Sequence, residues 1–426
     1  MSVEESIKSI DLEVRENKNI RDWGVKHKEE CLGEETNRTE FRRQRDRILY
    51  TGGFRRLQDK TQVIAATKSG DHRTRLTHSL EVEQIAVSIA DALGLNRDLV
   101  SAISLGHDVG HTPFGHAVED FLNEELKDEG GFSHAVQSIR YLKKHINLSI
   151  EVFEGILKHD TDVYAGGYDK RQFNCDELLP FKPGSLEAQV VYWADKLAYI
   201  THDFEDFFRT EIYKNAIKHN KVLKSNLQGI LCNIITDEGK RVDIKKDINN
   251  FETRDLIRNL LTNIIDQSLR NLINLKNSKP IVNPVIIKNE TEKRIKDNER
   301  IMGLNNGSSE NETKKIKKET YQRGLLINFR EDYYEYYTTL REILNEFYIG
   351  SPEVVRSDAK AKKIAKSLFD DFTNTPKLLP LNIQKEINDM KDSPRRLIAD
   401  YIASMTDRYA EEIFFNLNSI GSYYEY

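Results

Sequence analysis

Apolar residues recur at steps of three and four along most of this chain, whereas runs that alternate apolar and polar residues are sparse. On an α-helix this spacing places the apolar side chains on one face, which can then pack against a core. The clearest such stripe stops at Gly94, a residue type that commonly ends a helix. Its members are Val82, Ile85, Ala86, Ile89, Ala90 and Leu93. The pattern predicts a mainly α protein, with at most a short β-hairpin near residues 63–71.

Two further stripes predict helices that carry polar residues of interest. One stripe runs through Leu99, Val100 and Ile103 and leads to His107. The other begins after the helix-breaking pair Pro183-Gly184. Its members are Leu186, Val190, Trp193, Leu197 and Ile200. Because the first stripe faces the core, it points His107 inward, where an imidazole is costly to bury unless it is paired or coordinates an ion.

We expect four parts along the chain: an N-terminal segment at 1–37, a core at 38–214, a helical region at 215–320 and C-terminal helices at 321–426. The run GLNNGSSENETKK is rich in small polar residues and nearly devoid of large apolar ones. It predicts a polar, flexible insertion at about 279–320.

The chain's charge and cysteine content exclude several protein classes. The formal net charge of the 426 residues is −5, which argues against a general nucleic-acid coat protein. Cys31, Cys175 and Cys232 are widely separated and form no CxxC pair, so a disulfide framework or cysteine-rich zinc site is not expected. The N-terminus lacks an apolar signal region, and no stretch reaches eighteen apolar residues. We therefore expect a cytoplasmic protein that has no membrane partner.

A local basic cluster remains compatible with the acidic net charge. It comprises Arg42, Arg43, Arg45, Arg47, Arg55, Arg56 and Lys60. Such a cluster can bind a second nucleotide, nucleic acid or a neighbouring subunit, or it can pair with nearby acidic residues.

The histidines are unevenly placed, and five of the 11 lie within residues 78–134. The segment LGHDVGHTPFGH is the most informative in the chain, because it combines three of these histidines with Asp108. On a helix, His107 and His111 would share a face, and Pro113 and Gly115 would bend the chain after them. Imidazoles and carboxylates gathered in this way suit a divalent metal ion that keeps open positions for water and substrate.

Several sequence blocks carry a resemblance to a known family, and they occur in that family's order. They are RTEFRRQRDRILYTGGFRRLQDKTQV, DHRTRLTHSLEVEQIA, LGHDVGHTPFGHAVE, GGFSHAVQS and YWADKLAYITHDFED, with YIASMTDRYA near the C-terminus. On these blocks the chain resembles the HD-domain deoxynucleoside triphosphate triphosphohydrolases, often called dGTPases. The resemblance is dense over residues 38–206 and thinner in the C-terminal helices. It implies that the core at 38–214 is a helical HD-domain catalytic core, with additional C-terminal helices.

The resemblance also implies a metal site and a catalytic group. The metal ligands would be His78, His107, Asp108 and Asp195, which accept Mn²⁺, Mg²⁺, Fe²⁺ or Ni²⁺. The acid–base and phosphate-contacting group would be His111, His116, Glu119 and His134. Among these, His116 is the first choice for the proton donor to the leaving 5′-oxygen. Many relatives carry Asp where this chain has Glu119, and the longer arm leaves open whether it orients His116 or His134.

The substrate contacts implied by the resemblance fall into two groups. Arg75, Lys196 and Tyr199 match positions that contact phosphate oxygens, and a triphosphate requires such cations. Asp203 matches the residue that reads the sugar 3′-hydroxyl, and Gln62 matches one that lies against the deoxyribose. Tyr199 and Asp203 follow Asp195 at four-residue steps, so we expect all three on one helix face.

The reaction so implied is hydrolysis of dGTP, with other dNTPs as further candidates, to a deoxynucleoside and tripolyphosphate. In it, the bound ion activates a water that attacks the α-phosphorus. The resemblance further implies a homo-oligomer, either a tetramer or a hexamer, and an allosteric nucleotide or single-stranded DNA as a candidate activator. The alternatives are another HD phosphohydrolase, such as a 5′-nucleotidase or a cyclic-nucleotide phosphodiesterase, and a non-catalytic HD protein that senses nucleotides or binds single-stranded nucleic acid.

Overall fold

The computed structural model describes residues 38–62, 73–160, 169–173, 184–279, 284–302, 310–389 and 392–419. Across these ranges the chain is helical and contains no sheet, with one isolated antiparallel bridge between Thr61 and Thr74. The prediction of a mainly α protein is confirmed. The hairpin expected near residues 63–71 lies outside the described residues. None of the described helices has a stretch apolar and long enough to cross a bilayer.

The helices divide into three successive groups along the chain. The first group is α1 (Glu40–Leu49), α2 (Gly52–Arg56), α3 (Arg75–Leu93), α4 (Arg97–Gly106), α5 (His116–Glu125), α6 (His134–His145), α7 (Ile150–Leu157) and α8 (Leu186–Arg209). The second is α9 (Glu211–His219), α10 (Lys221–Ile234), α11 (Glu238–Lys246), α12 (Thr253–Ser278), α13 (Pro284–Ile301) and α14 (Glu310–Gly324). The third is α15 (Glu331–Leu344), α16 (Pro352–Asn374), α17 (Leu381–Asn388), α18 (Pro394–Ala403) and α19 (Asp407–Asn418).

Helix α3 shows how local sequence sets the boundaries of the catalytic helices. Thr74 and Thr77 form a reciprocal capping box at its start, which satisfies two backbone N–H groups. Gly94 ends it in the left-handed conformation, with φ of 66°, which glycine adopts without strain. The whole apolar stripe predicted for α3 is buried, so the residues beside it, Arg75 and His78, are held in place by core packing.

Helix α8 joins the first group of helices to the C-terminal part of the chain. It packs against α3, α4, α12 and α15. Trp193 is fully buried, and its indole Nε1–H donates to the Ile327 carbonyl oxygen at 2.7 Å. The buried Gln189 side chain accepts from the backbone N–H groups of Leu326 and Ile327. These contacts join segments that lie on either side of the boundaries proposed at residues 214 and 320. The four-part organisation of the chain therefore stays a prediction.

A second core forms where α5 packs against α16, close to α18 and α19. Leu122 and Val118 of α5 are fully buried there, and Phe121 meets Phe369 edge to face with ring centroids 6.1 Å apart. Because α5 begins at His116 and carries Glu119, two of the predicted catalytic residues are positioned by the C-terminal helices.

The segment at about 279–320 was expected to be a flexible insertion, and this prediction is wrong for most of it. Helices α13 and α14 occupy most of the segment and pack against one another. Ile287 and Tyr321 are buried, and a Cβ on Gly324 would come within 2.4 Å of the Ile295 side chain. Sparse apolar residues suffice here because two helices bury them against each other. Residues 280–283 and 303–309 lie outside the described part.

Lys60 was grouped with the arginines of the basic cluster, but it lies in the interior with 1% of its surface exposed. Its ammonium group donates to the carbonyl oxygens of His111 and Ala403, the latter at 2.8 Å. It therefore links the loop after α4 to the end of α18. Of the other cluster members, Arg45 forms an ion pair with Asp46 at 2.6 Å.

We expect the stability of the wild type relative to Lys60→Met to rise with pH above about 7. Burial lowers the pKa of Lys60 from 10.5 to about 7; Arg56 and Arg75 also lower it, while Asp407 and Asp108 oppose the shift. Between these values the unfolded chain binds the proton that the folded protein releases. Folding therefore gains about 1.4 kcal/mol per pH unit over that window. Urea unfolding of both proteins at pH 6, 8 and 9.5 measures this, and a constant difference would contradict it.

Candidate active site

A cleft of about 710 Å³ opens between α3, α5, α6, α8 and α15. Most of the residues predicted from the sequence to form the site line this cleft. They are Arg75, His78, Asp108, His111, His116, Glu119, His134, Asp195, Lys196 and Tyr199. His107 lies directly behind the lining and is completely buried.

Three of the predicted metal ligands converge from three helices. His78 lies on α3, Asp195 on α8, and His107 caps the C-terminal end of α4. The His78 Nε2 atom lies 3.0 Å from Asp195 Oδ1, and the His107 Nε2 atom lies 3.8 Å from that same oxygen. One ligand atom from each of the three lies within 4.8 Å of the other two. This His/Asp cluster can hold a divalent metal ion.

The hydrogen bonding of His107 fits metal coordination. Its Nδ1–H donates to the Ser104 carbonyl oxygen at 2.6 Å, so the lone pair is on Nε2. That Nε2 atom is buried and has no hydrogen-bond partner among the described residues. Metal-bound histidines commonly fix their second ring nitrogen on an oxygen in this way, which directs the ligand nitrogen at the ion.

Asp108 also lies near the Nε2 atom of His107. Its Oδ1 atom is 3.6 Å from His107 Nε2, and its Oδ2 atom accepts from Arg75 Nη1 at 2.8 Å. Burial alone would raise the pKa of Asp108, but the charges of His107 and Arg75 hold it well below its usual range. The pKa of Asp195 is likewise low, because Lys196 and His78 outweigh its burial. Both carboxylates are therefore ionised at neutral pH.

The expectation that His107 and His111 share one helix face is wrong. Helix α4 ends at Gly106, and residues 107–110 form turns, with the His111 N–H donating to the Asp108 carbonyl oxygen at 2.9 Å. The chain leaves the helix where Gly110 passes against the backbone of α6, and a Cβ there would lie 2.1 Å from the Ser138 nitrogen. As a result, His107 faces Asp195 whereas His111 stacks on His134, with ring centroids 4.5 Å apart.

Glu119 contacts both histidines that it was predicted to orient. Its Oε2 atom lies 2.9 Å from His116 Nδ1, and its Oε1 atom lies 2.8 Å from His134 Nδ1. Oε1 also accepts the backbone N–H of His134, which is the first residue of α6. Burial would lower the pKa of His134, but Glu119 raises it to about 9. The His116 side chain is 66% exposed at the rim, so solvent and substrate can reach it.

His159 and Asp160 also line the cleft, and the sequence analysis missed them. They follow the end of α7, and the His159 Nε2 atom lies 3.0 Å from His134 Nε2. The sequence did contain a signal for these two residues. The segment ILKHD places a His-Asp pair directly after an apolar helix, in the same way as LGHD places His107 and Asp108.

The far wall of the cleft comes from the C-terminal part of the chain and was also missed. Lys318 of α14, Tyr337 and Arg341 of α15, and the following Asn345 contribute to it. The last three are spaced by four residues, which places them on one helical face. The sequence showed this spacing, but only the packing of α15 against α8 shows that the face meets the cleft.

The predicted substrate residues differ in how they reach the cleft. Lys196 Nζ pairs with Asp195 Oδ2 at 2.8 Å and lies 5.2 Å from the centre of the Tyr192 ring. Asp203 is 1% exposed and lies behind Tyr199, to which it hydrogen-bonds; burial raises the pKa of both groups well above their usual values. Gln62 lies beside Gly115, outside the described lining of the cleft.

The loop between His111 and His116 is fixed from the C-terminal side by Asp407. One carboxylate oxygen of Asp407 accepts the Phe114 N–H at 2.8 Å, and the other accepts the Thr61 N–H at 2.9 Å. Phe114 has a φ of 58°, which costs a non-glycine residue free energy and requires such support. The MTDRYA segment, which includes Asp407, therefore helps to set the position of His116.

Comparison with protein families identifies two matching models. The HD domain matches residues 75–200, and the phosphohydrolase-associated domain matches residues 327–415. The first match contains all four predicted metal ligands. The second contains α15, which contributes Tyr337 and Arg341 to the far wall of the cleft, and helices α16 and α18 of the second core.

Curated relatives match nearly the whole chain. A deoxyguanosinetriphosphate triphosphohydrolase-like protein of Rickettsia felis is 35% identical over 401 residues, which cover 90% of this chain and 93% of that protein. The similarly named protein of Rickettsia bellii is 34% identical, with the same coverage of both chains. That of Rickettsia typhi is 36% identical and covers 88% of this chain and 90% of its own length.

Proposed function

The chain belongs to the deoxyguanosinetriphosphate triphosphohydrolase-like family of HD-domain phosphohydrolases, and from this we propose that it hydrolyses dGTP at the α-phosphorus. The products are deoxyguanosine and tripolyphosphate, and the other dNTPs are further candidate substrates. The observation that carries the proposal is the presence, in one cleft, of the His/Asp cluster and a group of cationic side chains. A metal ion can activate the attacking water, and cationic side chains can offset the charge of a polyphosphate.

We propose His78, His107, Asp108 and Asp195 as the ligands of a divalent ion. When bound, the ion would lower the pKa of a coordinated water and polarise a phosphoryl oxygen. The buried, unpartnered Nε2 of His107 and the ionised state of both aspartates fit this role. Mn²⁺, Mg²⁺, Fe²⁺ and Ni²⁺ all accept this mixed set of nitrogen and oxygen ligands.

The cationic residues divide between the two sides of the cleft. Arg75 uses Nη1 to hold Asp108, while its Nε and Nη2 atoms are buried with no hydrogen-bond partner within the described ranges. Those atoms can donate to a phosphate oxygen. Lys196 and Tyr199 stand on α8, and Arg341 and Lys318 stand on the opposite wall. These side chains would offer positive charge to a triphosphate bound in the cleft.

His116 is the proposed proton donor to the departing 5′-oxygen. Glu119 accepts from its Nδ1–H, which orients the ring and leaves Nε2 as the atom that transfers the proton. His111 and His134 lie behind it as a stacked pair, with His134 tied to the same carboxylate. We propose that Asp203 and Gln62 serve the sugar of the substrate. Asp203 would do so by holding the Tyr199 hydroxyl, and Gln62 by its position beside the loop at Gly115.

Phosphorus NMR of the dGTP reaction with Mn²⁺ tests this function. We expect the resonances of tripolyphosphate and no nucleoside monophosphate, and runs with the other three dNTPs and GTP give the base and sugar preference. Orthophosphate with dGDP would indicate cleavage between the β- and γ-phosphorus, and pyrophosphate with dGMP would indicate cleavage between the α- and β-phosphorus. Either result would contradict release of the 5′-oxygen and point to another HD phosphohydrolase activity. Absence of turnover with all five nucleotides, alongside tight nucleotide binding, would support a sensor.

The quaternary structure and allosteric control of the protein are proposed from its family alone. We propose a homo-oligomer, either a tetramer or a hexamer, with a nucleotide or single-stranded DNA as activator. The exposed arginines of α1 and α2, Arg42, Arg47 and Arg55, offer a surface for such an anion. Light scattering with and without dGTP or an oligonucleotide measures the assembly, and a monomer under every condition would contradict it.

A further inference from the structure

The turn before α6 contains two successive glycines in the left-handed region. Gly130 has a φ of 94° and Gly131 a φ of 78°, and the Gly131 N–H donates to the Leu126 carbonyl oxygen at 2.8 Å. A Cβ on Gly131 would lie 2.2 Å from Asn123 Oδ1, and that same oxygen accepts the Phe132 N–H at 2.9 Å. Because the turn packs directly on α5, its backbone position is tied to that helix.

This turn places the first residue of α6 against Glu119. His134 begins α6, and Glu119 Oε1 accepts its backbone N–H at 2.7 Å and its Nδ1–H at 2.8 Å. The other oxygen of the carboxylate, Oε2, lies 2.9 Å from His116 Nδ1. The position of the turn therefore influences where the Glu119 carboxylate lies, and the carboxylate in turn orients the His116 ring.

Arg396 of α18 holds this turn from the C-terminal part of the chain. Its Nη2 atom donates to the Glu129 carbonyl oxygen at 2.9 Å and to the Gly131 carbonyl oxygen at 2.8 Å. The residue is only 2% exposed, and a guanidinium is costly to bury unless its N–H groups find acceptors. The two carbonyl oxygens flank Gly130, so the guanidinium fixes the turn on both sides of that glycine.

The rest of α18 is also joined to the segments that carry the catalytic histidines. The carbonyl oxygen of Ala403, the last residue of α18, accepts from Lys60 Nζ at 2.8 Å, and the same ammonium group donates to the His111 carbonyl oxygen. Between the two ends of the helix, Asp400 Oδ2 accepts from Arg140 Nη2 of α6 at 2.8 Å. Helix α18 therefore connects the loop at His111, the body of α6 and the turn before α6.

We propose that Arg396 is a positioning residue for the proton donor, acting through the glycine turn and Glu119 on His116. Arg396 is not among the described residues that line the cleft, so it would act without touching the substrate. The inference rests on the proposed function, because it concerns the proton that His116 gives to the departing 5′-oxygen.

A purely structural role for Arg396 predicts a different result. If Arg396 only held α18 in place, its loss would lower the amount of folded enzyme and reduce every activity equally. If it positions Glu119, the loss should fall on reactions that need a proton from His116. p-Nitrophenyl triphosphate separates the two roles, because its phenolate leaves without a proton, whereas the 5′-oxygen of dGTP requires one.

The test measures kcat and KM of the full-length wild type and its variants with both substrates and Mn²⁺. We expect Arg396→Met to reduce kcat for dGTP by about 10- to 100-fold, the scale for misplacement of a catalytic group, with KM unchanged. Hydrolysis of p-nitrophenyl triphosphate should stay within a few-fold of the wild type. Arg396→Lys keeps the charge and should show a smaller loss of the same selectivity, and it supplies the comparison if Arg396→Met does not fold. Arg395→Met is the matched control and should leave both rates unchanged, since Arg395 donates to the Glu125 carbonyl oxygen at the end of α5.

Hydrogen exchange gives a second measurement that needs no catalysis. We expect peptides that cover residues 130–135 to exchange faster in Arg396→Met than in the wild type, because the His134 N–H would lose its fixed acceptor, and to be unchanged in Arg395→Met. Unchanged exchange in Arg396→Met, equal losses on both substrates, or wild-type rates on both would overturn the positioning role and leave the proposed function intact. A wild type that releases no tripolyphosphate from dGTP would overturn the proposed function and the inference together.

Discussion

Replacing Asp108 with alanine is expected to reduce kcat for dGTP by about 1,000-fold or more, which corresponds to about 4 kcal/mol in the activation barrier. The change removes a proposed metal ligand and also the partner of Arg75 Nη1. The variant should also bind Mn²⁺ more weakly than the wild type does. Steady-state kinetics with dGTP and equilibrium dialysis with Mn²⁺ measure both effects.

A loss of activity in Asp108→Ala could come from misfolding as well as from the loss of a metal ligand, so the two effects must be measured separately. Removing Asp108 leaves the buried Arg75 uncompensated, and breaking a buried ion pair in this way costs about 3–5 kcal/mol of stability. Asp108→Asn keeps the volume and an acceptor for Arg75, so it should fold and still lose most activity. Asp91→Ala, at the exposed end of α3, is the matched control and should retain activity. A folded Asp108→Asn enzyme with unchanged kcat would remove Asp108 from the metal site.

The sequence was sufficient wherever local spacing decides the structure. The apolar stripe of α3 and its stop at Gly94 lie where the three- and four-residue periodicity placed them. The order of the family blocks also predicted that His78, His107 and Asp195 would be neighbours, although 117 positions separate the first and last. Periodicity alone could not show this, because it identifies the inward face of each helix but not which inward faces meet.

What the sequence did not predict depends on contacts between distant segments. The spacing of Tyr337, Arg341 and Asn345 fits any amphipathic helix, and only the packing of α15 against α8 turns that face into a wall of the cleft. The error at residues 284–301 and 310–320 has the same cause. Composition suggested too little apolar surface for a core, whereas α13 and α14 need to bury only a few residues against each other.

Lys60 illustrates a different error. It was grouped with the arginines because it is close to them in sequence, but its side chain does not share their environment. It lies four residues after Arg56, but the short α2 ends at Arg56 and the chain then turns inward. Two carbonyl oxygens from different parts of the chain accept from its ammonium group. No local pattern encodes those acceptors, because they belong to the ends of α18 and of the loop that carries His111.

Replacing His116 with glutamine is expected to reduce kcat for dGTP by about 100- to 10,000-fold, the range for removal of a general acid. The loss should depend on the leaving group. p-Nitrophenyl triphosphate, cleaved at its α-phosphorus, releases a phenolate that leaves at neutral pH without receiving a proton. We therefore expect His116→Gln to hydrolyse this ester at a rate within a few-fold of the wild type. Measuring kcat/KM of both proteins with both substrates gives the comparison.

The ratio of the two losses identifies what His116 does, because other roles predict a different result. If His116 only shaped the rim or helped to bind the triphosphate, both substrates would lose rate equally, since they share that group. His145→Gln should leave both rates unchanged, and Mn²⁺ binding by His116→Gln should match the wild type, because His116 is not among the proposed ligands. Glu119→Gln should weaken dGTP hydrolysis selectively as well, since Glu119 Oε2 accepts from the Nδ1–H of His116 and orients the ring for proton transfer. Equal losses on both substrates would assign the proton donor to another group in the cleft.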